Sequence, residues 1–164
     1  GMKQATAELR IEGLIFDEET QLPVVILKEK DGRRTLPVWI GPSEASSILL
    51  EIENIKTPRP MTHDLFFQFM RKHKFSIKKL VLSSGKNGKI TARLFYGRRA
   101  FPYTLDVRPS DGLALSLRSK SPVHATESLI EQKQKTVRAY PKGDVNRGVG
   151  GHPSVHKDTD GLLM

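Results

Sequence analysis

Two hairpin signals, one in each half of the chain, constrain the fold more than any other feature of the sequence. In the first half, the Asp-Gly turn at 31–32 separates apolar stretches that predict strands over 22–30 and 33–40. In the second half, a glycine-bounded turn at 85–88 joins two further strand-like stretches. Because tight turns connect antiparallel neighbours, the chain is expected to build a sheet from hairpins.

Helical patterns stand between and after these hairpins. An apolar stripe at helical spacing follows the Gly-Pro pair at 41–42, which suits a helix start. A second helix is predicted to begin at Thr62, a favoured N-cap residue, and to bury the stripe Leu65, Phe66, Phe69 and Met70. Strands are predicted at 6–16, 22–30, 33–40, 75–83, 89–96, 100–107 and 122–125, and helices starting near 42, 62, 109 and 127.

The order of these elements predicts a single α+β domain with a mixed sheet and three to four helices packed on it. No Gly-x-Gly-x-x-Gly or phosphate-loop pattern follows a strand, which disfavours a doubly wound nucleotide fold. Residues 2–134 are predicted to form the domain. Residues 135–164 form a basic, glycine-rich tail with few apolar residues, which is not expected to pack by itself.

Composition excludes several classes of protein. The 164 residues include no cysteine, so disulfides and thiolate metal sites are excluded. No apolar run approaches the roughly 20 residues that a membrane span requires. The N-terminus has no basic-then-apolar signal sequence, and a cytoplasmic location is expected.

Positive charge is concentrated in one interval of the chain. The formal net charge is +9, and no acidic residue occurs between Asp64 and Asp106. A surface of one sign attracts polyanions, although it is equally typical of a solvated basic face. Few aromatic residues lie near the later charges, among them Tyr96, Phe101 and Tyr103. The interval contains ten basic residues: Arg71, Lys72, Lys74, Lys78, Lys79, Lys86, Lys89, Arg93, Arg98 and Arg99.

Three polar segments lie at predicted element boundaries, where functional residues are often found. They are Ile40-Gly41-Pro42-Ser43-Glu44-Ala45, Arg59-Pro60-Met61-Thr62-His63-Asp64, and Arg108-Pro109-Ser110-Asp111-Gly112. In their residue types and their order along the chain, these segments resemble the bifunctional nuclease domain family, and the similarity runs from about residue 7 to 131. Gly112 stands where that family usually has alanine, a change expected to cost about 1 kcal/mol of local helix stability.

The resemblance implies a compact α/β domain that self-associates, with a dimer favoured, and that hydrolyses phosphodiester bonds of RNA and DNA. Such chemistry needs an activated water, charge stabilisation on the phosphate and protonation of the leaving group. The candidate catalytic residues are therefore His63, Asp64, Asp106, Asp111 and Glu44. Arg59 and Arg108 offer planar forks for phosphate oxygens. Asp64, Asp106 and Asp111 are candidate ligands for a hard cation such as magnesium.

Nucleic acid is the expected partner. The predicted binding surface contains the two arginines of the Arg-Pro segments, Arg59 and Arg108, and four lysines, Lys78, Lys79, Lys86 and Lys89. Because lysine is excluded from a packed core, these lysines are expected to converge on the exposed side of the sheet.

A structural interpretation of the same residues remains open. Carboxylates are favoured in the first turn of any helix, and Thr62 and Ser110 are ordinary capping residues by type. Arg59 and Arg108 would then pair with Asp111 and Asp64 as a clasp between the two halves of the chain. The protein would be a non-catalytic nucleic-acid-binding or regulatory dimeric module. Both interpretations predict that the two Arg-Pro segments lie close together.

Overall fold

A seven-stranded mixed sheet with four helices forms the part of the chain that the computed structural model describes, residues 4–137. The strands are β1 (Thr6–Asp17), β2 (Leu22–Glu29), β3 (Thr35–Trp39), β4 (Phe75–Ser84), β5 (Ile90–Arg98), β6 (Phe101–Val107) and β7 (Val123–Thr126). The helices are α1 (Pro42–Ile52), α2 (Thr62–Lys72), α3 (Pro109–Ser119) and α4 (Glu127–Val137). The α+β prediction is confirmed.

The strand order is β3-β2-β1-β7-β4-β5-β6. Every neighbouring pair is antiparallel except β4 and β7, which are parallel. The short β7 therefore joins two hairpin-built halves, β1–β3 and β4–β6, into one sheet. A doubly wound sheet would be parallel throughout most of its width, so this topology agrees with its exclusion from the sequence.

The turn of the first hairpin is wider than the sequence predicted. The strands end at Glu29 and resume at Thr35, instead of meeting at a two-residue turn. The Glu29 carboxylate bridges the loop, because it accepts hydrogen bonds from the backbone N–H of Arg34 at 3.0 Å and from the Arg34 Nε at 2.9 Å. Gly32 permits this closure, since a Cβ there would lie 2.2 Å from a Glu29 carboxylate oxygen.

One hydrophobic core lies between the sheet and the helices. Leu80 and Leu94 are paired across β4 and β5, and both are fully buried under α3 with Leu113. Leu129 and Ile130 bring α4 onto the same core. Side chains alternate between the two faces of the sheet along β4 and β5. Leu80 and Leu94 point to the face that carries the helices, and their neighbours in sequence point to the opposite face.

The predicted burial of α2 is wrong in most positions. Of its expected stripe only Met70 is buried, whereas Leu65, Phe66 and Phe69 are exposed. The inward side of the helix instead carries half-buried His63 in its first turn and Met70 in its last, with Phe67 packed against the core between them. The polar contacts of His63, described below, orient the helix, so its rotation is not set by hydrophobicity alone.

Gly112 is a requirement of packing and not a simple loss of helix stability. A Cβ at this position would lie 2.5 Å from Leu80 Cδ1 and 3.0 Å from Cδ2, and Leu80 is fully buried. The predicted cost of glycine to local helix stability stays a prediction, and this packing opposes it. The absence of a side chain allows α3 to approach β4 closely.

Each of the first three helices begins inside one of the three polar segments. Gly41 is the N-cap of α1, with Pro42 in the first turn, and Arg108 is the N-cap of α3. For α2 the N-cap is Met61, one residue before the predicted Thr62. No helix within residues 4–137 is long and apolar enough to cross a membrane. Residues 135–137 belong to α4, and the predicted tail beyond them lies outside the described residues.

Candidate functional site

The starts of α2 and α3 meet through a direct contact between their motifs. His63 Nε2 lies 2.8 Å from Asp111 Oδ1. The start of α1 joins them, because Arg108 Nη1 donates to Glu44 Oε1 at 2.9 Å. The prediction that the two Arg-Pro segments are close in space is confirmed. Three helix N-termini, each with partial positive charge, converge with these side chains at one polar junction.

The outer half of the junction is organised by Arg108. Its Nε donates to Asp111 Oδ2 at 2.8 Å, its Nη2 to Asp111 Oδ1 at 3.1 Å and its Nη1 to Glu44. These contacts use three of the five N–H groups of a guanidinium. The side chain is nevertheless 64% exposed, so within the described part of the chain two N–H groups remain for an external anion.

The inner half is organised by Arg118, near the end of α3. Only 4% of its side chain is exposed, and its Nε forms an ion pair with Asp64 Oδ1. It also donates to the Ala114 carbonyl at 3.0 Å and to Ser47 Oγ at 3.1 Å. The second oxygen of Asp64 accepts from the backbone N–H of Met61 at 3.0 Å, which closes the start of α2.

The predicted clasp is therefore wrong in its partners. Arg108 pairs with Asp111 inside its own motif, and Asp64 pairs with Arg118. Arg59 is exposed in the loop before α2, and no ion pair to it is formed by any side chain in residues 4–137. The sequence contained one signal for Arg118: it lies seven residues after Asp111, two helical turns along the same face of α3.

His63 connects the two halves of the junction. Its Nδ1 lies 2.8 Å from Ser47 Oγ on α1, and its Nε2 faces Asp111. The Ser47 hydroxyl accepts a hydrogen bond from Arg118, so its own proton is free to point at Nδ1. In a neutral imidazole this pattern places the ring hydrogen on Nε2, and it forms a Ser47–His63–Asp111 relay of hydroxyl, imidazole and carboxylate.

The carboxylates of the junction are held in their ionised form. Hydrogen bonds from Arg108 lower the pKa of Asp111 against the opposing effect of burial, and His63 lowers it further. Burial raises the pKa of Asp64, but the hydrogen bonds from Arg118 and the Met61 backbone outweigh it, so the net pKa is lowered. The pKa of Glu44 is lowered mainly by its own backbone N–H, with help from Ser43 and Arg108.

Asp106, a predicted catalytic and metal-binding residue, is separated from the junction by the sheet. It is paired with Arg93 across β5 and β6, and Arg93 Nε donates to its Oδ1 at 2.9 Å. Its neighbour Leu105 pairs with Leu94 on the helix-bearing face, so Asp106 points to the opposite side. The structure thus brings together four of the five predicted catalytic residues: Glu44, His63, Asp64 and Asp111.

The predicted magnesium ligands do not form one cluster. Asp106 is on the other face, and Asp64 and Asp111 each hold a guanidinium group that would repel a cation. Within residues 4–137, no group of three His, Asp or Glu side chains has the arrangement that could hold a metal ion. As arranged here, the donor set does not fit a divalent cation.

The four predicted nucleic-acid-binding lysines occupy two separate regions. Lys79 opposes Phe95 on the face without Leu80, with its Nζ 4.8 Å from the ring centroid, and Lys78 is exposed beside it. Lys86 and Lys89 lie at the β4–β5 turn, about 17 Å or more along the strand from Lys79. The four lysines are therefore spread along the β4–β5 hairpin, and whether they form one binding surface stays a prediction.

A cleft of about 400 Å³ opens beside the inner half of the junction, between α1 and α2. Asp64 and Arg118 form part of its wall, with Lys56 and Arg71 as further cations and Glu51 as a second carboxylate. Its remaining lining is mostly apolar or amide: Leu50, Asn54, Ile55, Thr57, Pro60, Met61, Phe67 and Gln68. The size falls in the range of about 300–1,000 Å³ that is typical of small-ligand sites.

The fold and junction define an α+β domain built around a polar meeting point of three helix starts. The pattern of the family described as "Bifunctional nuclease domain" matches residues 25–138, which include all three motifs. The chain therefore belongs to the bifunctional nuclease domain family.

Two relatives illustrate this membership. An uncharacterized protein of Mycobacterium tuberculosis is 34% identical over 125 residues, which cover 76% of this chain and 74% of the relative. Bifunctional nuclease 2 of Oryza sativa subsp. japonica is 25% identical over 122 residues, which cover 72% of this chain and 38% of the relative.

Proposed function

We propose that this protein is a nuclease that hydrolyses phosphodiester bonds of RNA or DNA at the three-helix junction. The observation that carries the proposal is the relay Ser47–His63–Asp111 beside the exposed guanidinium of Arg108. Membership of the bifunctional nuclease domain family supports the same reaction class. The curated relative that is named a bifunctional nuclease supports it further.

Arg108 binds the phosphate in this proposal. Its two remaining N–H groups suit two phosphate oxygens, and the converging helix N-termini add positive potential at the same place. Asp111 and Glu44 hold the guanidinium in position from behind. This arrangement stabilises the charge that develops on the phosphate during hydrolysis.

His63 acts as the general base. A water molecule attacks the phosphorus and loses a proton to Ser47 Oγ as the Ser47 proton passes to His63 Nδ1, and Asp111 stabilises the resulting imidazolium. The P–O bond to the leaving oxygen breaks, that oxygen takes a proton from bulk water, and His63 returns its proton to solvent. Arg118 and Asp64 keep Ser47 and the start of α2 in place, so they are positioning residues. The substrate strand approaches along the cleft between α1 and α2.

The experiment is cleavage of labelled RNA and DNA by highly purified protein, with and without magnesium. We expect Arg108→Met and the double variant His63→Ala, Asp64→Ala to lose at least about a hundredfold in rate, the usual contribution of an acid–base group. Arg59→Met and Asp106→Asn are the matched controls, because both residues were candidates by sequence but lie outside the junction. Cleavage that is equal in all variants would identify a contaminating nuclease and overturn the proposal.

A non-catalytic module is the second candidate, and the closed ion pairs of Asp64 and Asp111 favour it. In that case no purified preparation cleaves either polymer. The junction variants would then bind nucleic acid as the wild type does and lose only thermal stability.

Binding to nucleic acid through the basic residues is tested separately from cleavage. Reversal of Lys78, Lys79, Lys86 and Lys89 to glutamate is expected to weaken binding of a labelled single strand. The wild-type affinity should fall steeply between low and physiological salt, because phosphate neutralisation releases counterions. An affinity that is flat across the salt series would reject an electrostatic role for these lysines.

We further propose that the protein is a dimer held by the outer side of α2. Leu65, Phe66 and Phe69 are exposed there, and contiguous apolar surface of this kind marks protein interfaces. Sedimentation should show a dimer for the wild type and a monomer for Phe69→Asp. A monomeric wild type would reject this assembly.

A further inference from the structure

Four aromatic side chains form a cluster at the free edge of the sheet. The Tyr96 and Tyr103 rings are stacked, with centroids 5.4 Å apart and an interplanar angle of 22°. Phe75 lies 6.0 Å from Tyr96 and 6.1 Å from Tyr103. Phe101 lies two residues before Tyr103 on the same side of β6 and is 66% exposed. We call Phe75, Tyr96, Phe101 and Tyr103 the aromatic platform.

The platform is open because the helices do not reach the end of the sheet. Tyr96 pairs with Tyr103, and Leu94 with Leu105. These four side chains lie on the sheet face that α3 covers nearer the centre of the sheet. On the edge strand β6, however, Tyr103 remains 43% exposed although it points to this core-forming face. Exposed aromatic surface of this extent calls for a partner.

The charge around the platform selects the kind of partner. The guanidinium carbon of Arg98 lies 5.5 Å from the Phe75 ring centroid, and Lys74 and Arg99 are exposed nearby in the chain. The platform strands β4 and β5 and the turn into β6 contain no acidic residue. Aromatic rings interleaved with cations suit a ligand that is both planar and anionic.

We propose that the aromatic platform binds single-stranded nucleic acid, with unpaired bases stacked on Phe101 and Tyr103 and phosphates near Arg98 and Arg99. This inference rests on the proposed nuclease function, and it places a substrate-holding surface away from the three-helix junction. A duplex buries the faces of its bases in its own stack, so the platform discriminates in favour of single strands.

The test is fluorescence anisotropy of a labelled single-stranded 12-mer at low salt, with the strand shown intact on a denaturing gel. Phe101→Ala and Tyr103→Leu should each weaken binding about tenfold, within the range measured for base stacking on an aromatic ring. Tyr103→Phe should retain the wild-type affinity, since the ring is kept. Phe16→Ala is the matched control, because Phe16 on β1 is a similarly exposed phenylalanine outside the platform, 57% exposed against 66% for Phe101.

The outcomes separate this inference from the proposed function. Loss of binding in Phe101→Ala, without any cleavage by the wild type, would uphold the platform and reject the nuclease. Unchanged affinity in both platform variants, or equal affinity for a duplex, would reject the platform whatever the cleavage result. If Phe101→Ala instead converts a dimer to a monomer in sedimentation with unchanged affinity, the platform is a surface for a second copy and the inference is wrong.

Discussion

Helices α2 and α3 follow near-duplicate segments but take opposite roles in the fold. In α3 the proline is the first helical residue and Arg108 is the N-cap, so the arginine lies three positions before Asp111 and pairs with it. In α2 the helix begins two residues after the proline. Arg59 lies five positions before Asp64 in the sequence, and it remains outside the junction. A shift of two residues in the helix start therefore decides whether the arginine belongs to the site.

The two helices also differ in burial. α3 lies directly over the sheet, with most of its first two turns buried, whereas α2 lies at the periphery with Leu65, Phe66 and Phe69 outward. Both stripes predict burial equally well from the sequence. The comparison shows that an apolar stripe predicts a helix but does not predict which element the helix packs against. Polar contacts can determine which side of a helix faces the core.

The largest expected effect compares one leucine from each helix. Leu113→Ala should lower the free energy of unfolding by about 2–5 kcal/mol, because the side chain is fully buried and leaves a cavity. Leu65→Ala should change it by less than about 0.5 kcal/mol, since Leu65 is 60% exposed in the monomer. Urea unfolding at low protein concentration measures both. Equal losses would mean that α2 is buried in the native state.

The second effect compares Arg118, the observed partner of Asp64, with Arg59, an arginine of the predicted clasp. Arg118→Met should cost about 2–3 kcal/mol, because it leaves Asp64 and Ser47 without their buried donor. Arg59→Met should leave the unfolding free energy within about 0.5 kcal/mol of the wild type. Thermal and urea unfolding of the two variants provide the measurement, and a destabilised Arg59→Met would restore the clasp with the partners first predicted.

The third effect concerns the approach of α3 to the sheet. Gly112→Ala should destabilise the protein by about 1–3 kcal/mol, as expected when a methyl group is forced into a packed core. Combining it with Leu80→Val, which shortens the opposing side chain, should cost less than the sum of the two single changes. Additive losses in urea unfolding would show that the two positions do not compete for space.

The smallest effect is on the pH dependence of stability. The folded-state pKa values of Asp64 and Asp111 lie below their ordinary value of 3.8. Their contribution is therefore complete above about pH 5 and is lost as the pH falls through 3.8 and below. Unfolding at a series of pH values should show a shallower acid loss for Asp111→Asn than for the wild type.

His124 affects stability in a separate pH window. Burial lowers its pKa from 6.5, with Glu8 opposing and Lys79 adding to the shift, so protonation at falling pH destabilises the fold. The loss therefore begins near pH 6.5, above the window of the carboxylates. His124→Gln should remove this upper part of the acid loss and leave the lower part unchanged, and a profile unchanged above pH 5 would contradict the assignment.

The element boundaries were predictable from the sequence because they depend on local chemistry. Turns, prolines and alternation predicted every strand and helix to within a few residues, including the α3 start at Pro109. The motifs likewise predicted four members of the junction, Glu44, His63, Asp64 and Asp111. Arg118 and Ser47 were not predicted as site residues because each lies inside a helix and outside the motifs. Their contact with each other joins residues that are distant in sequence.

The sequence by itself determined the hairpin-built α+β class, the family and the residues at the helix starts, since all of these are local patterns. Only the tertiary structure decided that Asp106 and Lys79 lie on the opposite side of the sheet from Asp111, that Arg118 is the partner of Asp64, and that α2 turns most of its predicted buried stripe outward. The physical reason is that faces, partners and rotations depend on where elements meet in space. Local sequence patterns restrict which elements can pack together, but they do not specify which residues come into contact.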